Sequence, residues 1–350
     1  MPEWLVETGI GEDRAVLVAG PPGARIDSDC DAPRILAARL CWRERWRAGA
    51  VSPARLDHRH AGTRRGAVLL PDGTPALIDA LPPGLSSGAT LMVRITRPAL
   101  AETGRFKAVQ CRPAGDAASP ASPASPAAAP PLAEALAETG HPVRRLDVFD
   151  RSLDHAGWND LWAEARLGQI DFPGGSLTIS PTPAMTLIDI DGPPPLLPLA
   201  LAAAPAVAGA LARLDIGGSV GIDFPGLDGR GERQAVDQTL GAALDQHGWR
   251  GERTGMNGFG LVQLVSRLER PSLIARLAHS PARAAAHALL RQAERVGEPG
   301  ALLLVAHPAV LAAIDPTMEA ELARRSGRTI RREPRAGLAH HAAFAQAISP

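Results

Sequence analysis

Three carboxylates in the second half of the chain have the type and placement for metal chemistry. In "MTLIDIDG" an apolar run ends in Asp189 and Asp191, and in "SVGIDF" a second apolar run ends in Asp223. Each run has the length and composition of a strand, so each sets a carboxylate at a strand's carboxyl end. Hard oxygen donors converging at one sheet edge, with positions left for water and phosphate, suit Mg²⁺ or Mn²⁺. Such an ion lowers the pKa of bound water and neutralises charge developing on a phosphodiester under attack. The chemistry is metal-assisted hydrolysis. An aspartate at a strand end also serves simply to accept turn hydrogen bonds, and Asp191-Gly192 is a good turn pair. His141, His155 and His247 have no motif context of nucleophilic catalysis.

For Asp189 and Asp223 to work together, their strands must be parallel neighbours. The Ala/Leu-rich stretch 196–214 has the length of a crossover helix, which would bring both carboxylates to the edge where open α/β sheets bind ligands. "GSLTIS" and "MTLIDID", separated by "PTPA", read as a hairpin. The helix "ERQAVDQTLGAALDQ" and the strand "GFGLVQLVSR" follow. A helix around "PARAAAHALLRQAERVG", the strand "ALLLVAHP", a helix from Ala309 to Arg325 and a last strand "RTIRRE" complete an α/β layering. The first third differs. Short β-like runs, "WLVET", "RAVLV", "GAVLLP", "PALIDAL", "TLMVRIT" and "FKAVQC", alternate with turn signals such as Asp72-Gly73 and suggest a small barrel or meander. Between the two parts, "RPAGDAASPASPASPAAAPP" (112–131) repeats Ala-Ser-Pro and predicts an extended, semi-rigid linker.

Composition limits the partners. With 350 residues the chain suits two or three compact units. Formal net charge is zero and the pI is about 7.2, so a polyanion must be met by a local basic patch. Cys30, Cys41 and Cys111 lack a Cys-x-x-Cys spacing, which argues against a disulfide framework and a thiolate zinc site and fits a reducing cytoplasm. The N-terminus lacks the pattern of a secretory signal, and "PPPLLPLALAAAPAVAGALARL" reads as a buried helix, so no membrane partner is expected. In "RLCWRERWR" the spacing of Trp42 and Trp46 predicts an amphipathic helix packing its tryptophans inward, with a polyanion-binding surface of Arg39, Arg43, Arg45 and Arg47 as the alternative.

"MTLIDIDG", "LARLDIGGSVGIDFPGL", "ERQAVDQTL" and "GFGLVQLVSRLERPSL" together resemble the catalytic core of the ribonuclease E/G family. The resemblance implies a mixed α+β and α/β multidomain fold. Its parts would be an OB-like RNA-binding β-domain (1–111), the linker (112–131), a deoxyribonuclease-I-like catalytic core (132–278) and a small C-terminal α/β subdomain (279–350). It implies Asp189 and Asp223 as ligands of a catalytic Mg²⁺ and Asp191 at the position of a family asparagine. It implies Lys107 as an RNA contact, beside which Phe106 offers a ring for base stacking, and Arg267 and Arg270 as phosphate contacts; the other reading of the first two is a core Phe106 and a solvated Lys107 on opposite faces of a strand. The implied activity is hydrolysis of single-stranded RNA leaving a 5′-phosphate.

The chain departs from that pattern in several places. Gly258 stands where the family has an arginine. "LIARLAHSPARAAAHALL" has no Cys-x-x-Cys, so no zinc-linked dimer is expected, and His279 and His287 read as helix-surface residues. The Ala-Ser-Pro linker replaces the family's sensor for a 5′-monophosphate. The stretch "GPPPLLPLALAAAP" replaces a polar loop, which leaves a non-catalytic RNA-binding protein as the alternative, with a small-molecule phosphoesterase as a second rival.

Overall fold

The computed structural model describes residues 1–19, 35–102, 104–115 and 125–349, so Cys30 and most of the Ala-Ser-Pro repeat lie outside the described residues. β1 (Glu3–Thr8) and β2 (Glu12–Val18) form an antiparallel hairpin, and β3 (Ile35–Trp42) adds to β2. The amphipathic helix expected around Trp42 and Trp46 is not formed: β3 runs through to Trp42 and turns follow it. Pairing with β2 decides the matter, since Ala38, Leu40 and Trp42 alternate into the core and a helix could not satisfy β2's edge. The two tryptophans go to different places. Trp42 is buried and donates Nε1–H to Glu12 at 2.8 Å, while Trp46 donates to Asp72 on the barrel at 2.9 Å.

The barrel is built from β4 (Val51–Arg59), β5 (Gly66–Leu69), β6 (Pro75–Ile78) and β7 (Thr90–Arg97). After a small outlying hairpin, β8 (Leu100–Glu102) and β9 (Arg105–Lys107), β10 (Val109–Pro113) closes it in the order β10-β6-β5-β4-β7. Leu56, Val68, Ile78, Val93, Ile95 and Cys111 fill the interior. The Asp72-Gly73 signal is indeed a turn, with Thr74 N–H donating to Asp72 Oδ1 at 3.0 Å and Gly73 at φ 81°. The described end of the expected linker is not a free spacer. Ala127 exchanges two 2.9 Å backbone hydrogen bonds with Val51, and Arg47 donates to the carbonyls of Ala129 and Pro130.

Beyond α1 (Leu132–Ala137), β11 (Val143–Leu146) pairs in parallel with β1, completing the sheet β11-β1-β2-β3. The expected first unit, 1–111, is therefore divided: residues 3–42 join the later chain and 51–113 make the barrel. Apolar residues on both faces of β1 and β2 cause this. Trp4 and Val6 pack on Ala133 and Leu136, while Leu5 and Val16 face the main core.

That core underlies a six-stranded sheet. After α2 (Ser152–His155) and α3 (Trp158–Leu167) come β12 (Gln169–Phe172), β13 (Gly175–Pro181) and β14 (Thr186–Asp191). Then follow α4 (Leu196–Arg213), β15 (Ser219–Asp223), α5 (Arg230–Gln246), β16 (Gly251–Arg253) and β17 (Leu261–Ser266). The order is β12-β13-β14-β15-β17-β16, with only β14 and β15 parallel within it. α4 is long and apolar enough to cross a membrane by length and composition, but it packs against α5, β3 and the underside of this sheet. Ala200, Ala203, Ala204 and Val207, all fully buried, allow that close approach.

The chain ends with α6 (Leu273–His279), α7 (Pro281–Glu294), β18 (Ala301–Ala306), α8 (Pro308–Ala312), α9 (Pro316–Ser326), β19 (Ile330–Pro334) and β20 (Phe344–Ile348). The helix expected over Ala309–Arg325 is broken because Asp315 N-caps α9 and Pro316 occupies its first turn. β20 was not anticipated. α7 is fastened to the N-terminal hairpin by buried charge. Arg291 pairs with Glu7 and with Glu12 (2.7 Å), Arg295 with Glu7 (2.9 Å) and Asp154 (2.7 Å), and Arg14 with Glu7 (3.0 Å). His287, expected on a helix surface, is 1 % exposed, tilted against Trp42 with ring centroids 5.5 Å apart.

Candidate active site

β14 and β15 are held in parallel register with Asp189 directly opposite Asp223. Alternation fixes which way they point. Ile188, Ile190 and Ile222 are buried beneath the sheet, so Asp189, Asp191 and Asp223 stand on the opposite, exposed face. Adjacent strands lie about 4.8 Å apart, which brings the Asp189 and Asp223 carboxylates within reach of one ion. Asp191 lies two residues further, about 7 Å along the strand, opposite Ser176. Thr178, opposite Asp189, adds a hydroxyl to the same exposed row.

Among the described residues none of these three carboxylates has a hydrogen bond or ion pair. Like charges directly opposite in a sheet cost roughly 0.2–1 kcal/mol, a cost that a bound cation removes. Among the described residues no three His, Cys, Asp or Glu side chains converge into a metal cage. Two carboxylates with open positions nonetheless match the habit of Mg²⁺, which takes one or two carboxylates and leaves the rest to water and substrate phosphates.

One rim of this face carries a residue that sequence reasoning passed over. Phe259 is 89 % exposed in the turn between β16 and β17. The Asn257 side-chain oxygen accepts from the N–H groups of Phe259 (2.9 Å) and Leu261 (3.1 Å), and Leu261 is the strand partner of Asp223. At Gly260, φ is 87° and a Cβ would lie 2.6 Å from the Phe224 carbonyl, so glycine is required there. The signal available was the Asn-Gly-Phe-Gly sequence itself, a turn that leaves its aromatic residue without a core.

The expected RNA contacts divide between two other places. Phe106 is 77 % exposed on the β8–β9 hairpin. Lys107 is engaged: it pairs with Glu102 at 2.6 Å and donates to the Pro183 carbonyl at 3.2 Å, tying the barrel's hairpin to the turn before β14. A cavity of about 640 Å³ opens there, lined by Arg97, Arg105, Lys107, Arg112, Arg267 and Asp79; Glu102 pairs with both Arg105 (2.9 Å) and Lys107, which leaves Arg97, Arg112 and Arg267 without an ion pair among the described residues. Arg112 lies opposite Arg94 in the barrel, two like charges side by side.

Arg267 is exposed and has no partner among the described residues, but it is six residues beyond Leu261. That is about 20 Å from Asp223 along the strand. Arg270 is spent on structure. It donates to Asp215 at 2.8 Å, and Asp215, at φ 54°, also meets Arg39 at 3.2 Å. The Asp215 carboxylate raises the Arg270 pKa, as expected for a satisfied ion pair. The aspartates expected at the metal thus form an acidic centre at one end of the open face, and of the expected RNA contacts Phe106, Lys107 and Arg267 line a basic cavity at the other, with Arg270 apart from both.

No protein-family model matches the sequence, and no curated protein matches it.

Proposed function

We propose that the chain is a compact metal-dependent endoribonuclease of ribonuclease E/G type, in which the barrel is an OB-like RNA-binding module and the six-stranded unit a deoxyribonuclease-I-like core. The observation carrying this reading is the register of Asp189 against Asp223 on an exposed face, with no counter-charge among the described residues. These two residues would hold Mg²⁺, or Mn²⁺ in its place, with Asp191 as an outer carboxylate. When bound, the ion supplies a water of lowered pKa and neutralises the phosphate.

The chain's own part is to orient. Thr178 and Ser176 offer hydroxyl donors beside the carboxylates. The basic cavity would hold single-stranded RNA by its phosphates, and Phe106 offers a ring on which any base can stack. A strand of RNA would then lie along the exposed face from Arg267 toward Asp223.

The test is incubation of labelled single-stranded RNA with the protein and Mg²⁺, alongside Asp189→Asn and Asp223→Asn. Cleavage by the parent that both substitutions abolish supports the reading; binding without cleavage sinks it. The second reading, a non-catalytic RNA-binding protein, is favoured by one observation: among the expected phosphate contacts, Arg270 is paired with Asp215 and Arg267 stands far from the acidic centre.

A further inference from the structure

A second, smaller cavity lies between the barrel's hairpin and the corner where α6 meets α7. Its volume is about 280 Å³, and Phe106 and Trp46 are among the rings that wall it. Arg45, Arg276 and Arg283 line it with Glu44; Arg45 is paired with Asp72 at 3.5 Å and lies over the Trp46 ring, so Arg276 and Arg283 are the cations that share Glu44.

Arg276 is the unusual member. It is 6 % exposed, yet none of its five N–H donors has a protein acceptor among the described residues, and Nε is fully buried without a partner. Its guanidinium lies over the Trp42 ring at 4.6 Å, and its nearest counter-charge is Glu44 at a loose 3.9 Å. Glu44 itself is taken by Arg283 at 3.2 Å. Burial lowers the Arg276 pKa, and Glu44 opposes this. Fifteen residues on, Arg291 is buried to the same degree but pairs with two carboxylates. A buried guanidinium without hydrogen bonds is costly unless something supplies an acceptor.

The cavity also meets the start of α7, a helix of 14 residues whose N-cap, Ser280, lines the wall and makes no side-chain cap. Ser280 is also the C-cap of α6, so the two helix ends oppose each other there and the arginines carry the positive charge.

We propose that this cavity is a nucleotide-binding site, in which Arg276 and Arg283 take a phosphate group and Phe106 and Trp46 take the base. The site is separate from the acidic face but shares Phe106 with the proposed RNA path, and it stands whether or not that face cuts RNA. The phosphate could belong to a free mononucleotide or to a nucleotide of an RNA strand.

The test is calorimetric titration of the full chain with AMP, without added metal, so that failure of cleavage and failure of this site are separate results. AMP is expected to bind saturably at one site, inorganic phosphate to displace it, and adenosine to give no binding. Arg283→Ala weakens AMP about tenfold, the loss of one charge-assisted hydrogen bond; Arg276→Gln weakens it more, and Glu44→Gln tightens it. Competition with a 5′-hydroxyl RNA ten-mer separates the sources: displacement of AMP assigns the site to a nucleotide within RNA, and none assigns it to a free nucleotide. No AMP binding by the folded parent, or binding unchanged in both arginine variants, overturns the proposal. Because Arg283 lies at the rim, with its side chain 35 % exposed, its variant tests the idea even if Arg276→Gln fails to fold.

Discussion

Two groups of carboxylates lie on opposite sides of this molecule's economy of charge. Glu7, Glu12 and Asp154 are matched by Arg14, Arg291 and Arg295 in the interior. Asp189 and Asp223 stand on an exposed sheet face and, among the described residues, meet no cation at all. The first group holds the C-terminal unit against the N-terminal hairpin. The second leaves its electrostatic capacity open to a ligand. A carboxylate's chemistry is the same in both places, and the difference lies in whether the fold has already satisfied it.

The largest effect should come from breaking the satisfied group. Arg291→Met leaves Glu7 and Glu12 short of a partner in the core and should cost about 3–5 kcal/mol of stability, read by urea denaturation. On the open face, Asp223→Asn should leave stability within about 0.5 kcal/mol of the parent. The same change should slow Mg²⁺-dependent RNA cleavage by on the order of 10²–10³-fold. A large loss of stability in Asp223→Asn, measured the same way, would show that the pair has a hidden structural partner.

Acid should also test the satisfied group. Burial lowers the pKa of His287, so the unfolded chain binds more protons below its usual value of about 6.5, and stability falls as pH drops through that range. Burial opposes ionisation of Glu12, but the charges of Arg291 and His287 and the hydrogen bonds from Arg291 and Trp42 outweigh it and depress the pKa. The stability Glu12 contributes is present above its ordinary value of 4.5 and is lost as pH falls through the lower folded value. Denaturation midpoints measured from pH 7.5 downward should therefore decline first near the histidine range; His287→Gln should remove that first decline and, because His287 and Glu12 influence each other, reduce the later one.

The smallest contrast is between two arginines. Arg267→Ala should weaken RNA binding and reduce its salt slope by about 0.7, with stability unchanged. Arg270→Ala should instead destabilise the fold, because Asp215 keeps only Arg39, while the salt slope stays as in the parent. A salt slope altered by Arg270→Ala and not by Arg267→Ala would reverse the assignment.

Local pattern made part of this architecture legible. "TLIDID" and "SVGIDF", separated by a helix-sized apolar stretch, predict two parallel strands with aligned carboxylates, and β14, α4 and β15 follow that pattern because period and length are encoded residue by residue. "RLCWRERWR" failed for the complementary reason. Its tryptophans have helical spacing, but β2 offered an unpaired edge that no inspection of residues 35–47 reveals. Phe259 was hidden in plain sequence, since exposure of an aromatic residue depends on what the rest of the chain does not cover.

The sequence by itself determined the succession of β13, β14, α4, β15, α5 and β17, the barrel's turn chemistry and the carboxylate at each strand end, because these depend on neighbours a few residues away. Only the tertiary structure decided which charges are spent. Glu7 meets Arg291 across nearly the whole chain, Arg270 meets Asp215, and Arg276 meets no acceptor among the described residues. Pairing at such separations is a property of packing, where the cost of burying a charge is settled by whatever the fold brings beside it.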